Sequence, residues 1–110
     1  MNAVKQDVEK LVQKELESAN KKFPMFRSDH EGAAVIFEEI EEAKTEMDET
    51  EKNFKVLWTH VKLNNGMICS SHADDLYKRA RRLACEAIQV AAMAQKFINS
   101  QKEREKSEDN

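Results

Sequence analysis

Two short acidic clusters contain the residues of this sequence that are best suited to bind a metal ion. The first, EEIEE, starts at Glu38, and the second, EAIQ, starts at Glu86. Residues three positions apart share a helix face, so Glu39 and Glu42 point together, as do Glu86 and Gln89. If the two segments are antiparallel neighbouring helices, four oxygen-bearing side chains converge. Such a set of oxygen ligands suits Mg²⁺, which also binds phosphate oxygens and water.

The apolar face of the first helix ranks its acidic residues as ligands. This face is centred on Ile36, Ile40 and Met47. Glu39 lies about 70° from that centre, at the core boundary, and Glu42 follows on the same flank. Glu38 points nearly opposite the core. The geometry therefore favours Glu39 and Glu42 over Glu38 as metal ligands, provided that the second cluster faces them.

The helix of the second cluster also carries cations. Arg82, Glu86, Gln89, Met93 and Lys96 lie along one of its sides. A cation at each end of a row of carboxylate and amide groups suits a phosphate-bearing ligand, so Arg82 and Lys96 are candidate phosphate contacts.

A purely structural interpretation competes with the metal site. Acidic runs on helices are usually solvated faces, and the nearby cations Lys44 and Lys52 would then form ordinary surface ion pairs. Gln89 would hydrogen-bond across a dimer seam, as polar residues do in coiled coils.

Residues 87–94 predict an oligomer. Every residue in this range except Gln89 is apolar, and a helix that is apolar on all sides is buried on all sides. In a single chain of three helices, the other two helices do not easily cover all sides of this one. We therefore expect a homo-oligomer, either a two-fold dimer or a dimer of dimers.

The elements that position these residues are predicted to be long helices. The 110 residues include only two glycines and one proline, too few for the turns of a sheet protein. Apolar spacing predicts three helices, at about 3–22, 30–63 and 72–101. Ser28 or Asp29 is expected to cap the second helix, which is one long helix or two nearly collinear ones. The sequence thus predicts an all-α fold.

The remaining features bound the class of protein. The net charge is −3, and its 21 acidic and 18 basic residues are interspersed, which makes a nucleic-acid partner unlikely on charge alone. No apolar run is long enough to span a membrane, and the start lacks a signal-peptide pattern, so we expect a cytoplasmic location. We expect a single domain over residues 1–104 and a frayed, charged tail at 105–110.

The sequence resembles the MazG-like all-α nucleotide pyrophosphohydrolases, most closely a phage and bacterial subgroup. The resemblance rests on two stretches, HEGAAVIFEEIEEAKTEM from His30 and LACEAIQVAAMAQKF from Leu83. That superfamily carries E-E-x-x-E on one helix and E-x-x-D on the next. The first motif is complete here, whereas the second ends in Gln89. The spacer of 43 residues between the motifs, counted from Ala43 to Cys85, is longer than in most relatives.

The resemblance implies a Mg²⁺-dependent enzyme, with Mn²⁺ as the alternative ion, that splits a nucleoside triphosphate into monophosphate and pyrophosphate. By the same resemblance Glu39, Glu42, Glu86 and Gln89 are metal ligands. Glu38 positions or deprotonates the attacking water, or contacts the metal ligands without binding the metal.

Two other functions are compatible with the sequence. Because an amide replaces a carboxylate at position 89, the chain is alternatively a non-catalytic nucleotide binder, such as a phage protein that sequesters a nucleotide signal of host defence. The second alternative is a helical protein–protein interaction module, suggested by the apolar range 87–94.

Overall fold

The fold is all-α, as predicted. The computed structural model describes residues 2–109, and the side chains of residues 4–107. Within that range the chain forms three helices and no strand: α1 (Asn2–Asn20), α2 (Asp29–Lys62) and α3 (Gly66–Asp109). None of these described helices is long and apolar enough to cross a membrane.

Helix α2 begins at the serine cap that the sequence indicates. The Ser28 hydroxyl accepts a hydrogen bond from the backbone N–H of Glu31 at 3.1 Å, and the Ser28 carbonyl accepts one from Gly32 at 3.2 Å. The side chain thereby satisfies one of the free N–H groups of the first turn. The helix then continues without a break through the polar residues 48–53, so α2 is one long helix rather than two.

The turn between α2 and α3 is tighter than the sequence suggests. Asn64 adopts the left-handed conformation, with φ of 56°. The N–H of Asn65 donates to the carbonyl of His60 at 3.1 Å, and that of Asn64 donates to Val61 at 3.0 Å. These two bonds form a Schellman motif, which closes α2. Helix α3 therefore begins at Gly66 and continues to Asp109, so the predicted helix at about 72–101 is too short at both ends.

The chain divides into two compact units, residues 1–40 with 87–110 and residues 41–86. The first unit contains the buried core, formed by Leu16, Phe26, Ala92 and Met93. Gly32 is also buried, because the ring of Phe97 packs directly on its backbone. These contacts join α1 and the first part of α2 to the last part of α3.

The connector between α1 and α2 is fixed to α3 by hydrogen bonds. The N–H of Phe26 donates to the buried Ser100 hydroxyl at 2.9 Å, and the carbonyl of Phe26 accepts from Arg104 at 3.0 Å. Arg104 also forms an ion pair with Asp29. Of the two aromatic residues of the connector, Phe26 is buried, whereas Phe23 is 72% exposed.

The second unit, residues 41–86, is an antiparallel helical hairpin. Asn53 donates to the carbonyl of Asp75 at 3.3 Å. Nearer the turn, the rings of His60 and His72 stack with their centroids 4.7 Å apart. Because the paired positions rise along α2 as they fall along α3, the two helices run in opposite directions.

Candidate metal centre

Three of the predicted ligands converge. One carboxylate oxygen from each of Glu39, Glu42 and Glu86 lies within 4.8 Å of the other two. Glu39 and Glu86 are half-buried, whereas Glu42 is exposed. Among the side chains that the structure describes, this is the one group of three or more acidic, histidine or cysteine residues with such spacing.

The local sequence explains this convergence. Glu39 and Glu42 are three residues apart on α2, so both carboxylates lie on one helix face. Glu86 lies on α3, the second helix of the antiparallel hairpin. The ion pair of Arg79 with Glu46, at 3.1 Å, holds α3 in its alignment with α2. Arg79 lies about two turns before Glu86 along α3. The hairpin thus brings Glu86 to the acidic face of α2.

The donor set fits a hard divalent cation. Mg²⁺ binds oxygens at about 2.1 Å in an octahedron, which places neighbouring and opposite ligand oxygens roughly 3.0 and 4.2 Å apart. Three carboxylate oxygens within 4.8 Å of one another reach this spacing with side-chain movements on the order of 1 Å. Three clustered negative charges also repel one another unless a cation lies between them.

The other residues predicted for the acidic site lie beside this group. Glu38 is exposed and precedes Glu39 on α2, and it is not a member of the converging group. Gln89 is half-buried one turn beyond Glu86 on α3. The roles predicted for Glu38 and Gln89 stay predictions.

Arg82 lies one turn before Glu86 on α3 and lines a polar cleft of about 260 Å³. The other lining residues are Asn53, Asp75, Lys78 and Arg79. The carboxylate of Asp75 partly balances the cations of this cleft. The role of Arg82 as a phosphate contact stays a prediction.

Lys96, the second predicted phosphate contact, belongs to the other compact unit. Only 4% of the residue is exposed. Its ammonium donates to the carbonyl of Phe23 and lies 4.8 Å from the centre of the Phe26 ring. Burial lowers the pKa of Lys96 below the ordinary value of 10.5, and the nearby Glu31 carboxylate opposes this shift.

Sequence reasoning missed the surroundings of Lys96. The side chain lies beside an apolar cavity whose walls come from α1, the connector, α2 and α3. A signal was present, since helical spacing puts Lys96 on the same face of α3 as the apolar residues Ala92, Met93 and Phe97. The identity of its partners depends on the connector, which periodicity does not place.

Comparison of this chain with protein-family models, curated proteins and solved structures finds no match.

Proposed function

We propose that this protein is a Mg²⁺-dependent nucleoside triphosphate pyrophosphohydrolase. The main support for this proposal is the convergence of Glu39, Glu42 and Glu86, whose carboxylate oxygens lie within 4.8 Å of one another. The sequence motifs E-E-x-x-E and E-x-x-Q that contain these residues support it through their resemblance to the MazG-like enzymes.

Each residue of the site has a defined task in this proposal. Glu39, Glu42 and Glu86 would hold Mg²⁺, and Gln89 would add an amide oxygen. Bound Mg²⁺ neutralises phosphate charge and orients the substrate. Arg82 binds a phosphate oxygen from the adjacent cleft.

The reaction breaks the bond between the α-phosphorus and the oxygen that bridges to the β-phosphorus. The water oxygen bonds to the α-phosphorus, and pyrophosphate leaves with the electron pair of the broken bond. Glu38 accepts the proton that the water releases. The products are a nucleoside monophosphate and pyrophosphate.

Phosphorus NMR of the purified protein with a panel of nucleoside triphosphates tests this activity. We expect pyrophosphate to appear in Mg²⁺ or Mn²⁺ and not in EDTA. Glu42→Gln should reduce the rate at least tenfold, since a ligand charge is lost. Glu41→Gln, which removes a neighbouring exposed charge outside the cluster, is the matched control. No pyrophosphate from any nucleotide with either metal ion overturns the proposal.

Gln89 favours a second candidate function, nucleotide binding without turnover. An amide in place of a carboxylate removes one negative charge from the acidic group, which weakens its attraction for Mg²⁺. A sequestering protein, including one that a phage directs at a nucleotide signal, needs affinity and no hydrolysis. Calorimetry distinguishes the two: tight binding in EDTA without pyrophosphate release favours the binder, and the absence of any nucleotide binding excludes both.

We further propose that the protein is a homo-oligomer. Helix α2 exposes large apolar side chains at intervals of seven residues, as a helix does when it packs on another helix. These are Ile40, Met47, Phe54 and Val61, which are 39–51% exposed. Helix α3 exposes a stripe of alanines that permits close packing: Ala80, Ala84, Ala87, Ala91 and Ala94.

Sedimentation equilibrium tests the assembly. We expect a dimer or a dimer of dimers, because a second copy covers apolar surface that water otherwise contacts. A Phe54→Glu variant should shift the equilibrium toward the monomer, whereas Lys55→Glu, an adjacent exposed position, should not. A monomer at all concentrations would overturn this proposal and favour a helical module that binds a different protein.

A further inference from the structure

The first compact unit contains an apolar cavity that the proposed phosphohydrolase chemistry does not use. Its volume is about 410 Å³, within the range of roughly 300–1,000 Å³ that small-molecule sites occupy. The walls are mainly apolar and are formed by Ala19, Phe23, Phe26, Val35 and Met93. Such a cavity accommodates the hydrocarbon or aromatic body of a small ligand.

The polar groups at this cavity carry a net positive charge. Lys22, Glu31 and Lys96 line it together with the apolar walls. Lys96 is 4% exposed, although Lys is almost never fully buried unless it is paired. The cavity thus combines apolar walls with a surplus of one positive charge, and the buried cation is part of its surface.

The ammonium of Lys96 has hydrogen-bonding capacity beyond its contacts in the chain. A lysine ammonium has three N–H donors. Within the described part of the chain, its hydrogen bond goes to the carbonyl of Phe23, it lies over the face of the Phe26 ring, and the Glu31 carboxylate is near enough to attract it. A buried charge is costly when its donors are not matched by acceptors. An anionic group in the cavity supplies further acceptors.

We propose that this cavity binds a small amphipathic carboxylate, with the carboxylate on Lys96 and the apolar body against Phe26, Val35 and Met93. The site is separate from the acidic cluster of α2 and α3, so it does not depend on the proposed phosphohydrolase activity. Lys22, at the cavity and exposed, reinforces the preference for an anion, and Glu31 weakens it.

Calorimetry with three probes tests the proposal on the full chain. Decanoate has both the charge and the apolar body, decanol has only the body, and acetate has only the charge. We expect one decanoate per chain, bound at least about tenfold more tightly than decanol, because a charge-assisted hydrogen bond forms in a largely desolvated site. Acetate should show no measurable binding. Equal affinity for decanoate and decanol would overturn the proposal.

A substitution of Lys96 and the methyl NMR signal of Met93 test whether decanoate binds in this cavity. Lys96→Met keeps the length of the side chain and removes its charge, and should abolish the preference for decanoate over decanol. Lys102→Met, an exposed position on the same helix, should leave it intact. Decanoate should also shift the methyl NMR signal of Met93 in the unsubstituted protein, a measurement that does not depend on whether Lys96→Met folds. Binding that leaves this signal unchanged places the ligand elsewhere and refutes the site.

Discussion

Glu42→Gln should change the stability of this protein in opposite directions in the absence and presence of Mg²⁺. Glu42 contributes one of three carboxylate oxygens that lie within 4.8 Å of one another. Two unit charges at that separation repel by about 0.9 kcal/mol at the dielectric constant of water and by about 3.5 kcal/mol at an effective value of 20. Because Glu42 is exposed, the value for water applies, and salt reduces it further.

The charge removed by Glu42→Gln faces two neighbours, Glu39 and Glu86. In EDTA and low salt we expect the variant to unfold with a free energy about 0.5–1.5 kcal/mol higher than the unsubstituted protein. Glutamine and glutamate have similar helix propensities, so the backbone contributes little to this difference. If Mg²⁺ binds the three carboxylates as proposed, a concentration of about 100 times its dissociation constant should stabilise the unsubstituted protein by about 2.7 kcal/mol, and the variant should gain much less.

Urea unfolding followed by circular dichroism measures these differences. It is carried out in EDTA and in saturating Mg²⁺, with the protein concentration held constant. Glu41→Gln removes a charge from the same helix outside the converging group and should show neither effect. Equal behaviour of Glu42→Gln and Glu41→Gln would contradict the repulsion within the acidic group, as would a lower stability of Glu42→Gln in EDTA. Equal stabilisation of Glu42→Gln and the unsubstituted protein by Mg²⁺ would contradict the proposed metal site.

Three further expectations concern stability. Gly32→Ala should lower the unfolding free energy by about 1–2 kcal/mol, because overpacking outweighs the gain in helix propensity: its Cβ would lie 2.6 Å from the Phe97 ring. Gly66→Ala, with no atom within 4 Å of the added Cβ, is the control, and equal urea midpoints would contradict the packing argument. Ser28→Ala removes the α2 cap and should cost about 1 kcal/mol, whereas Ser28→Asp should retain most of the stability in the same assay. Since burial lowers the pKa of Lys96 below 10.5, the folded state binds fewer protons than the unfolded state just below that value. Its unfolding free energy relative to Lys96→Met should therefore rise as the pH increases toward 10.5, and a difference that is flat or falls with pH would refute the shift.

The parts of the fold that were predictable from sequence are those fixed by neighbours along the chain. Ser28 and Glu31 are three residues apart, and the cap that they predict forms. The spacing of Glu39 and Glu42 likewise puts both on one face of α2, because helical periodicity depends on local geometry alone. Their approach to Glu86 needed only one further assumption, an antiparallel hairpin.

Contacts between distant segments were not predictable in this way, and neither was the choice of the residue that takes the left-handed conformation in a turn. The contact of Phe26 with Ser100 joins positions 74 residues apart, and no periodic pattern encodes it. The start of α3 was misplaced for a different reason. Asn64 takes the left-handed conformation that ends α2, which asparagine tolerates better than most residues. Gly66 was then free to begin the helix.

The uneven distribution of buried apolar residues connects the proposed metal site with the proposed assembly. All four buried hydrophobic residues of the described chain lie in the first unit, so the hairpin of residues 41–86 has no buried apolar side chain of its own. Two helices with so little burial are marginal in water, and Met47, Phe54 and Trp58 leave apolar surface on the hairpin for a second copy.

The same hairpin carries Glu42 and Glu86, whose mutual repulsion opposes the close approach of its two helices. The proposed second copy, which would cover the apolar stripe, and the proposed cation, which would neutralise the carboxylates, would therefore both stabilise the closed hairpin. Two ligands that favour the same state raise each other's affinity by the same factor. Mg²⁺ should consequently lower the dissociation constant of the oligomer measured by sedimentation. In Glu42→Gln this repulsion is already removed, so the assembly of the variant should be insensitive to Mg²⁺. Assembly that responds equally to Mg²⁺ in both proteins would show that the packing of the hairpin and the charge of its acidic group are independent.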